Sequence, residues 1–316
     1  MTKVNIWFVV VWALMAVAGP ARAQIKLPDW DKVQIKVQNL GHDVYMLQGF
    51  GSNMTAYTGP GGIFLVDDEY APLSGKILVA LAKITGRPVR YVINTHWHRD
   101  HRGGNENFAR AGAIIISQAQ ARRTMRWAQL QKDSGNEDAD ITASPETLPQ
   151  ITYDKAMRLH LGDETIEIRY VPHVHTSGDS LVIFKKANVI ATGDLFFNGF
   201  YPFIDVPFGG SIDNMIAFYD DLYAMADENT KIVPGHGPVA NREDVRHDQA
   251  MLRDVRGRVA AAIEKGVSLK DLKAQKPLAD LDAEWGDNLI TADWMLDMVY
   301  KDLVRHGIGP ARHDGL

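Results

Sequence analysis

The chain contains no cysteine. That excludes thiolate metal ligands, a cysteine nucleophile, disulfides and a lipoprotein-type cysteine anchor. Any metal must therefore sit on histidine and carboxylate side chains. There is no excess of positive charge either: 34 Lys and Arg against 39 Asp and Glu leave a formal net charge of −5. Nucleic-acid and anionic-membrane partners usually leave a basic footprint, and none is present. A third absence is a bilayer-spanning run. The apolar stretch Ile6 to Ala18 is shorter than the ~20 residues a spanning helix needs. Internal repeats and low-complexity linkers are missing as well.

The first residues read as an export leader. Lys3 supplies the positive end, Ile6 to Ala18 the apolar core, Gly19-Pro20 the break, and Ala21-Arg22-Ala23 the small-x-small cleavage signature. The expectation is a cleaved signal peptide over 1–23 and a periplasmic or secreted mature chain starting at Gln24. The alternative is an uncleaved N-terminal anchor, which would leave that signature unused. After cleavage no stable membrane association is expected. The rest divides into a catalytic domain over 24–240 and a helical extension over 241–316, packed on the same domain.

Strand and helix signals alternate through the body. Asp43 to Gln48 and Thr165 to Val171 alternate as strands, and Ile63 to Val66, Tyr91 to Asn94, Ala113 to Ser117, Leu181 to Phe184, Val189 to Thr192 and Lys231 to Val233 are short apolar runs. Helical spacing appears over Pro72 to Lys83, Asn105 to Arg110, Gln118 to Gln131, Glu243 to Lys265 and Thr291 to Arg305. Ser211 is placed to cap a further helix running to Ala226. The polar stretch Lys132 to Pro149 reads as a surface loop or insertion. Strands fall in two regions, each followed by helices. This predicts an α/β fold: two sheets face to face with helices outside, and a site at one edge.

The chemistry concentrates in His96-Trp97-His98-Arg99-Asp100-His101, directly after a strand. Alternate side chains at a strand exit point the same way, so His96 and His98 can face one ion. A tight loop then turns Asp100 and His101 toward a neighbouring position. Imidazole and carboxylate suit Zn²⁺, and also Fe or Mn. Three later segments repeat the pattern of an apolar strand running into a polar side chain beside glycine. They carry His175 in His175-Thr176-Ser177-Gly178-Asp179, Asp194 in Thr192-Gly193-Asp194, and His236 in Pro234-Gly235-His236-Gly237. Each alone is weak, since a single histidine in a loop is more often a surface residue.

Together and in this order, the segments resemble the metallo-β-lactamase superfamily, which includes class B β-lactamases, hydroxyacylglutathione hydrolases, lactonases and RNA-processing nucleases. The likeness covers about Val44 to Val239. It implies a four-layer αβ/βα sandwich and a dinuclear centre of two Zn²⁺ per chain. It implies that His96, His98 and His175 bind the first metal, that Asp100, His101 and His236 bind the second, and that Asp194 bridges the two. Ions sharing a carboxylate can also share a water, whose hydroxide is the expected nucleophile. Asp100, beside that water in the family, is the expected catalytic residue, orienting it or carrying a proton.

Other residues stay open between two readings. Asp67, at a strand end before the histidine segment, fits either a turn or an acceptor that fixes a ligand imidazole's tautomer. Arg99 and Arg102, where the family often has small residues, fit either a carboxylate-binding rim or a solvated surface. The aromatic stretch Phe196 to Phe203 fits either an apolar wall or a packed loop. Trp97 reads as packing. His173 reads as an outer or exposed residue, and Asp179 as a hydrogen-bonding member of its glycine turn.

One common class B subclass uses a cysteine ligand, whereas this chain has Asp194 in that part of the site, as hydroxyacylglutathione hydrolases do. The expected partner is a small-molecule substrate. Lactams reach the periplasm directly, while glutathione thioesters are mainly cytosolic, so the expectation is β-lactamase-like hydrolysis of a cyclic amide. The alternatives are a thioester, lactone or other ester hydrolase, and a non-hydrolytic metal-binding accessory protein. N-terminal sequencing of protein recovered outside the cytoplasm should begin near Gln24; a full-length chain retained in the cytoplasm would contradict the leader assignment.

Overall fold

The computed structural model describes residues 27–133, 148–286 and 290–309. The leader and most of the polar stretch after Lys132 lie outside the described residues.

Among the described residues twelve strands form two sheets. The first contains β1 (Lys36–Gly41), β2 (Val44–Gln48), β3 (Asn53–Tyr57), β4 (Ile63–Val66), β5 (Val89–Asn94), β6 (Ile114–Gln118) and β7 (Ile151–Tyr153), in that order. The second contains β8 (Ala156–Leu161), β9 (Glu164–Val171), β10 (Asp179–Phe184), β11 (Val189–Phe197) and β12 (Lys231–His236), ordered from β12 through β11 to β8. The helices are α1 (Ser74–Ile84), α2 (Arg99–Arg102), α3 (Asn105–Arg110), α4 (Ala119–Asp133), α5 (Ile212–Met225), α6 (Arg242–Glu264), α7 (Leu269–Ala274), α8 (Asp282–Trp285) and α9 (Ala292–Arg305).

Strand periodicity builds the layers. Alternate residues leave opposite faces of a sheet. In β4, Phe64 and Val66 join the core between the sheets, while Ile63 and Leu65 join a second core under α1. In β10, Val182 and Phe184 face the first sheet, while Ile183 faces α5, α6 and α9. Three apolar cores therefore separate four layers, as the sequence patterning predicts. The third core takes in Val255 and Val259 of α6 and Leu296 and Val299 of α9 together with Leu181 of the sheet. The C-terminal helices thus pack on the sandwich itself.

Four strands, β1, β3, β7 and β8, were not found from the sequence, β8 although it alternates between exposed and half-buried residues. β3 is buried along its whole length and β1 is mostly exposed at the sheet edge, so neither alternates. β11 was expected to end at Thr192 but runs to Phe197. A register shift around Gly193, whose φ is +51°, kinks the strand without ending it. Ser211 does occupy the N-cap of α5, but its side chain makes no capping bond. The first amide of the helix, that of Ile212, instead donates to the Asp302 carboxylate at 2.8 Å.

Two parallel pairs fix where the site lies. β4 runs parallel to β5, and β11 parallel to β12. Parallel neighbours end on the same side, so the carboxyl ends of all four open at one edge of the sandwich. Asn53 of β3 ties the sheets together there, its amide donating to the carbonyls of Pro234 and Gly237, on either side of His236.

Candidate metal centre

The seven residues singled out in the sequence converge at that edge. His96 and His98 leave β5, and α2 turns Asp100 and His101 inward one helical turn later. Asp194 comes from the kinked half of β11, and His236 ends β12. Gly235 is required there, because a Cβ would overlap the Asp194 carboxylate.

The donor atoms fall into two groups. His96 Nε2 and His175 Nε2 each lie 3.0 Å from His98 Nδ1. Asp194 Oδ2 lies 3.3 Å from His175 Nε2 and 3.8 Å from His96 Nε2. In the second group, Asp194 Oδ1 lies 3.1 Å from His101 Nε2 and 3.3 Å from His236 Nε2. Asp100 Oδ2 stands 3.5 Å from His101 Nε2 and 3.3 Å from His236 Nε2. The two ring nitrogens are 3.4 Å apart. A tetrahedral ion with bonds of ~2.0–2.1 Å spreads its donors about 3.3 Å apart. Both groups therefore have the size of a tetrahedral cation site, and Asp194 contributes one oxygen to each.

The tautomers agree. His175 Nδ1–H donates to the Phe203 carbonyl at 2.8 Å, leaving the Nε2 lone pair facing the cluster. His98 Nε2–H donates to Asp205 Oδ2, and His101 Nδ1–H to Asp67 Oδ2, each at 2.8 Å. The Thr95 hydroxyl donates to Asp67, so it can accept from His96 Nδ1–H at 3.1 Å. Three lone pairs thus aim inward in the first group, with no proton between its rings, and His101 turns Nε2 inward in the second. Asp194 Oδ1 is buried and has no hydrogen-bond partner. Converging lone pairs and an orphaned buried carboxylate oxygen are what a cation would satisfy. The residues fit metal ions.

Electrostatics separates the groups. Burial pushes His96 well below its ordinary range and His175 down to about 4, so both are neutral donors at neutral pH. Burial also acts against charge on His101 and His236, but the facing Asp194 and Asp100 carboxylates prevail. They hold His101 well above its ordinary value and bring His236 up to about 10. A cation entering the second group would displace those protons. Access differs too: His96, His101 and His175 are at most 1 % exposed, while Asp100 and His236 are 20 % and 21 % exposed and form the mouth.

The open readings resolve. Asp67 is the tautomer-fixing acceptor, holding His101, the Thr95 hydroxyl and the Thr95 amide at 2.7–2.8 Å. Its left-handed backbone (φ 60°) is tolerated because three bonds fix its side chain. Arg102 is neither rim nor solvated: it is buried and donates to the Trp97 carbonyl at 2.6 Å. Arg99 lies over the Tyr70 ring. Trp97 packs between His98 and Phe208. The aromatic stretch divides. Phe196 and Tyr201 enter the core, whereas Phe197 stacks on His236 and Phe203 packs against His98 and His175. His173 is exposed and bonds the Gly209 carbonyl. Asp179 accepts from the His175 and Thr176 amides, holding the glycine turn.

Asp205 and Thr95 were not found from the sequence. Asp205 lies 107 positions from the histidine it orients. Its only local signal is a lone acid inside the apolar run Phe203-Ile204-Asp205-Val206-Pro207.

The family model for the metallo-β-lactamase superfamily matches residues 47–236. A metallo-β-lactamase from Pontibacter korlensis superposes with a TM-score of 0.57 over 70% of this chain and 100% of its own, at 17% identity. DIM-1 metallo-β-lactamase superposes with a TM-score of 0.56, covering 70% of this chain and 99% of its own, at 16% identity. A double mutant of the sec-alkyl sulfatase PisA1 reaches a TM-score of 0.62 over 88% of this chain and 51% of its own, at 14% identity. At these identities the superpositions speak for the fold alone.

The role of Asp67 can be tested directly. Asp67→Asn keeps a residue that tolerates the left-handed backbone but turns an amide group toward one of three donors. Partners of ligating histidines contribute about 10–100-fold in metal affinity. Zinc titration against a competing chelator should show a loss of that size at one of two sites, and unchanged affinity would contradict the assignment.

Proposed function

The chain belongs to the metallo-β-lactamase superfamily, and from that premise we propose that it is an exported, dinuclear zinc hydrolase that opens a cyclic amide in the manner of a β-lactamase. The observation that carries the reading is the split Asp194 carboxylate, with one oxygen toward each group of histidines. His96, His98, His175 and Asp194 would hold one ion, and Asp100, His101, His236 and Asp194 the other. Zinc is proposed from the donor set of five imidazoles and two carboxylates, which iron and manganese also accept. Bound there, the two cations would supply a water acidified toward neutral pH and a Lewis acid for a carbonyl oxygen.

The protein's own groups have distinct tasks. Asp194, 5 % exposed and shared, keeps the two groups of donors at one spacing. Asp100 touches both His101 and His236 and opens to solvent, so of the two carboxylates only it can meet a substrate at the mouth. The rings hold its carboxyl well below the ordinary range although burial pushes the other way, so it is a charged acceptor at neutral pH. It can take the proton of an attacking water and pass it to the amide nitrogen as the C–N bond breaks. Phe197 and Phe203 cover the backs of His236, His98 and His175 and limit water there.

A second reading is favoured by one observation. The shared carboxylate occupies the part of the site where a common β-lactamase subclass uses cysteine, and this arrangement fits ester, lactone or thioester cleavage equally. The alkyl sulfatase likeness adds a sulfate ester to the panel. Purified full-length protein loaded with zinc should be assayed against lactams, lactones, thioesters and a secondary alkyl sulfate. Lactam turnover is expected; turnover confined to another class would replace the substrate assignment. On any turned-over substrate, Asp194→Ala should lose metal and activity together. Asp100→Asn should keep much of its metal and lose about 10²–10⁴-fold in kcat, the usual contribution of a general acid–base group. Wild-type kcat in fully loaded Asp100→Asn, or a loss that only tracks lost metal, would contradict the division of labour.

A further inference from the structure

Helix α9 lies outside the family-matched region, yet it grips the loop that serves the first group of histidines. That loop, 203–211, supplies two of the three outer acceptors of the group: the Phe203 carbonyl bonds His175 Nδ1, and Asp205 bonds His98 Nε2. Four residues of α9 reach it. Trp294 packs its ring against Phe203 at 5.4 Å. Met298 Sδ accepts from the Ile204 amide at 3.3 Å. Arg305 Nη1 donates to the Val206 carbonyl at 2.7 Å. Asp302, buried, accepts from the Ile212 amide where the loop enters α5. Positions 294, 298, 302 and 305 are spaced by four, four and three, so they share one face of the helix.

The contacts bracket Asp205 on both sides, at Ile204 and Val206. Within the loop the 3₁₀ turn Val206–Phe208, a left-handed Gly209 at φ 95° and bonds from the Phe208 and Gly210 amides to the Asp205 carbonyl set the local shape, and α9 adds its contacts from the outer side. On the inner side the Asp205 amide bonds the His175 carbonyl at 3.0 Å. Between that bond and α9 the backbone of Asp205 is clamped from two directions.

We propose that α9 is a positioning element for the first metal: Trp294, Met298, Asp302 and Arg305 hold the 203–211 loop so that Asp205 and the Phe203 carbonyl present His98 and His175 to the ion. This rests on the reading of the first group as a metal site. The C-terminal helices are then part of the metal centre's support, and the family-matched core alone would hold the first ion more weakly.

The test uses full-length protein and zinc with a competing chelator. His236→Ala serves as background, because it removes a donor of the second group and isolates the first. In that background Arg305→Ala, an exposed change, and Asp302→Ala should each weaken zinc binding by about tenfold, the lower end for partners that orient ligating histidines. Asp302→Asn, which keeps an acceptor for the Ile212 amide, should restore most of the affinity. Lys301→Ala on the outer face should do nothing. With His236 present, only one of the two sites should weaken, a split that general destabilisation would not produce. Unchanged affinity in folded Arg305→Ala and Asp302→Ala proteins would overturn the positioning role while leaving the metal site standing. Equal weakening of both sites would reduce α9 to a structural support. Absence of zinc binding in the His236→Ala parent would remove the metal reading and this inference with it.

Discussion

The structure is organised around one buried carboxylate. Asp194 sits at an edge where two sheets open and faces the ring nitrogens of His96, His101, His175 and His236. A lone ionised carboxylate at that depth would be costly, and the four rings hold it charged although burial opposes this. The rings in turn are aimed by acceptors behind them: Asp67, Asp205, Thr95 and a backbone carbonyl. Each layer thus constrains the next: strand ends place the rings, outer acceptors choose the tautomers, and the tautomers leave lone pairs converging on two points about the shared carboxylate.

The fold serves this arrangement through two of its parallel pairs. Antiparallel partners would send adjacent strand ends to opposite edges, whereas β4 with β5 and β11 with β12 bring four carboxyl ends to one edge. The kink in β11 does what a plain strand would not. It lets Asp194 turn into the cleft from inside a strand, with Gly193 and Gly235 leaving the necessary space.

How much of this the sequence made legible follows from how local each feature is. The candidate ligands stood out because four of the seven, His96, His98, Asp100 and His101, fall within six positions directly after a strand, and the other three each follow an apolar run close to glycine. Most strands that alternate or form short apolar runs were legible for the same reason, β8 being an exception. β1 and β3 were not, since one is exposed at an edge and the other buried on both faces. The continuation of β11 was hidden because Gly193-Asp194 reads locally as a turn. Asp205 and Asp302 act on partners 107 and 90 positions away, and nothing in their own neighbourhoods records it. Arg102 misled because charge beside a cleft suggests a rim or a solvated surface, whereas it is drawn inward by a backbone carbonyl.

Two cations sharing one carboxylate is the claim on which the functional reading stands. Elemental analysis of the full-length protein, prepared without chelators and equilibrated with zinc, measures it most directly. The account predicts close to two metal ions per chain; one or none with zinc in excess would contradict it.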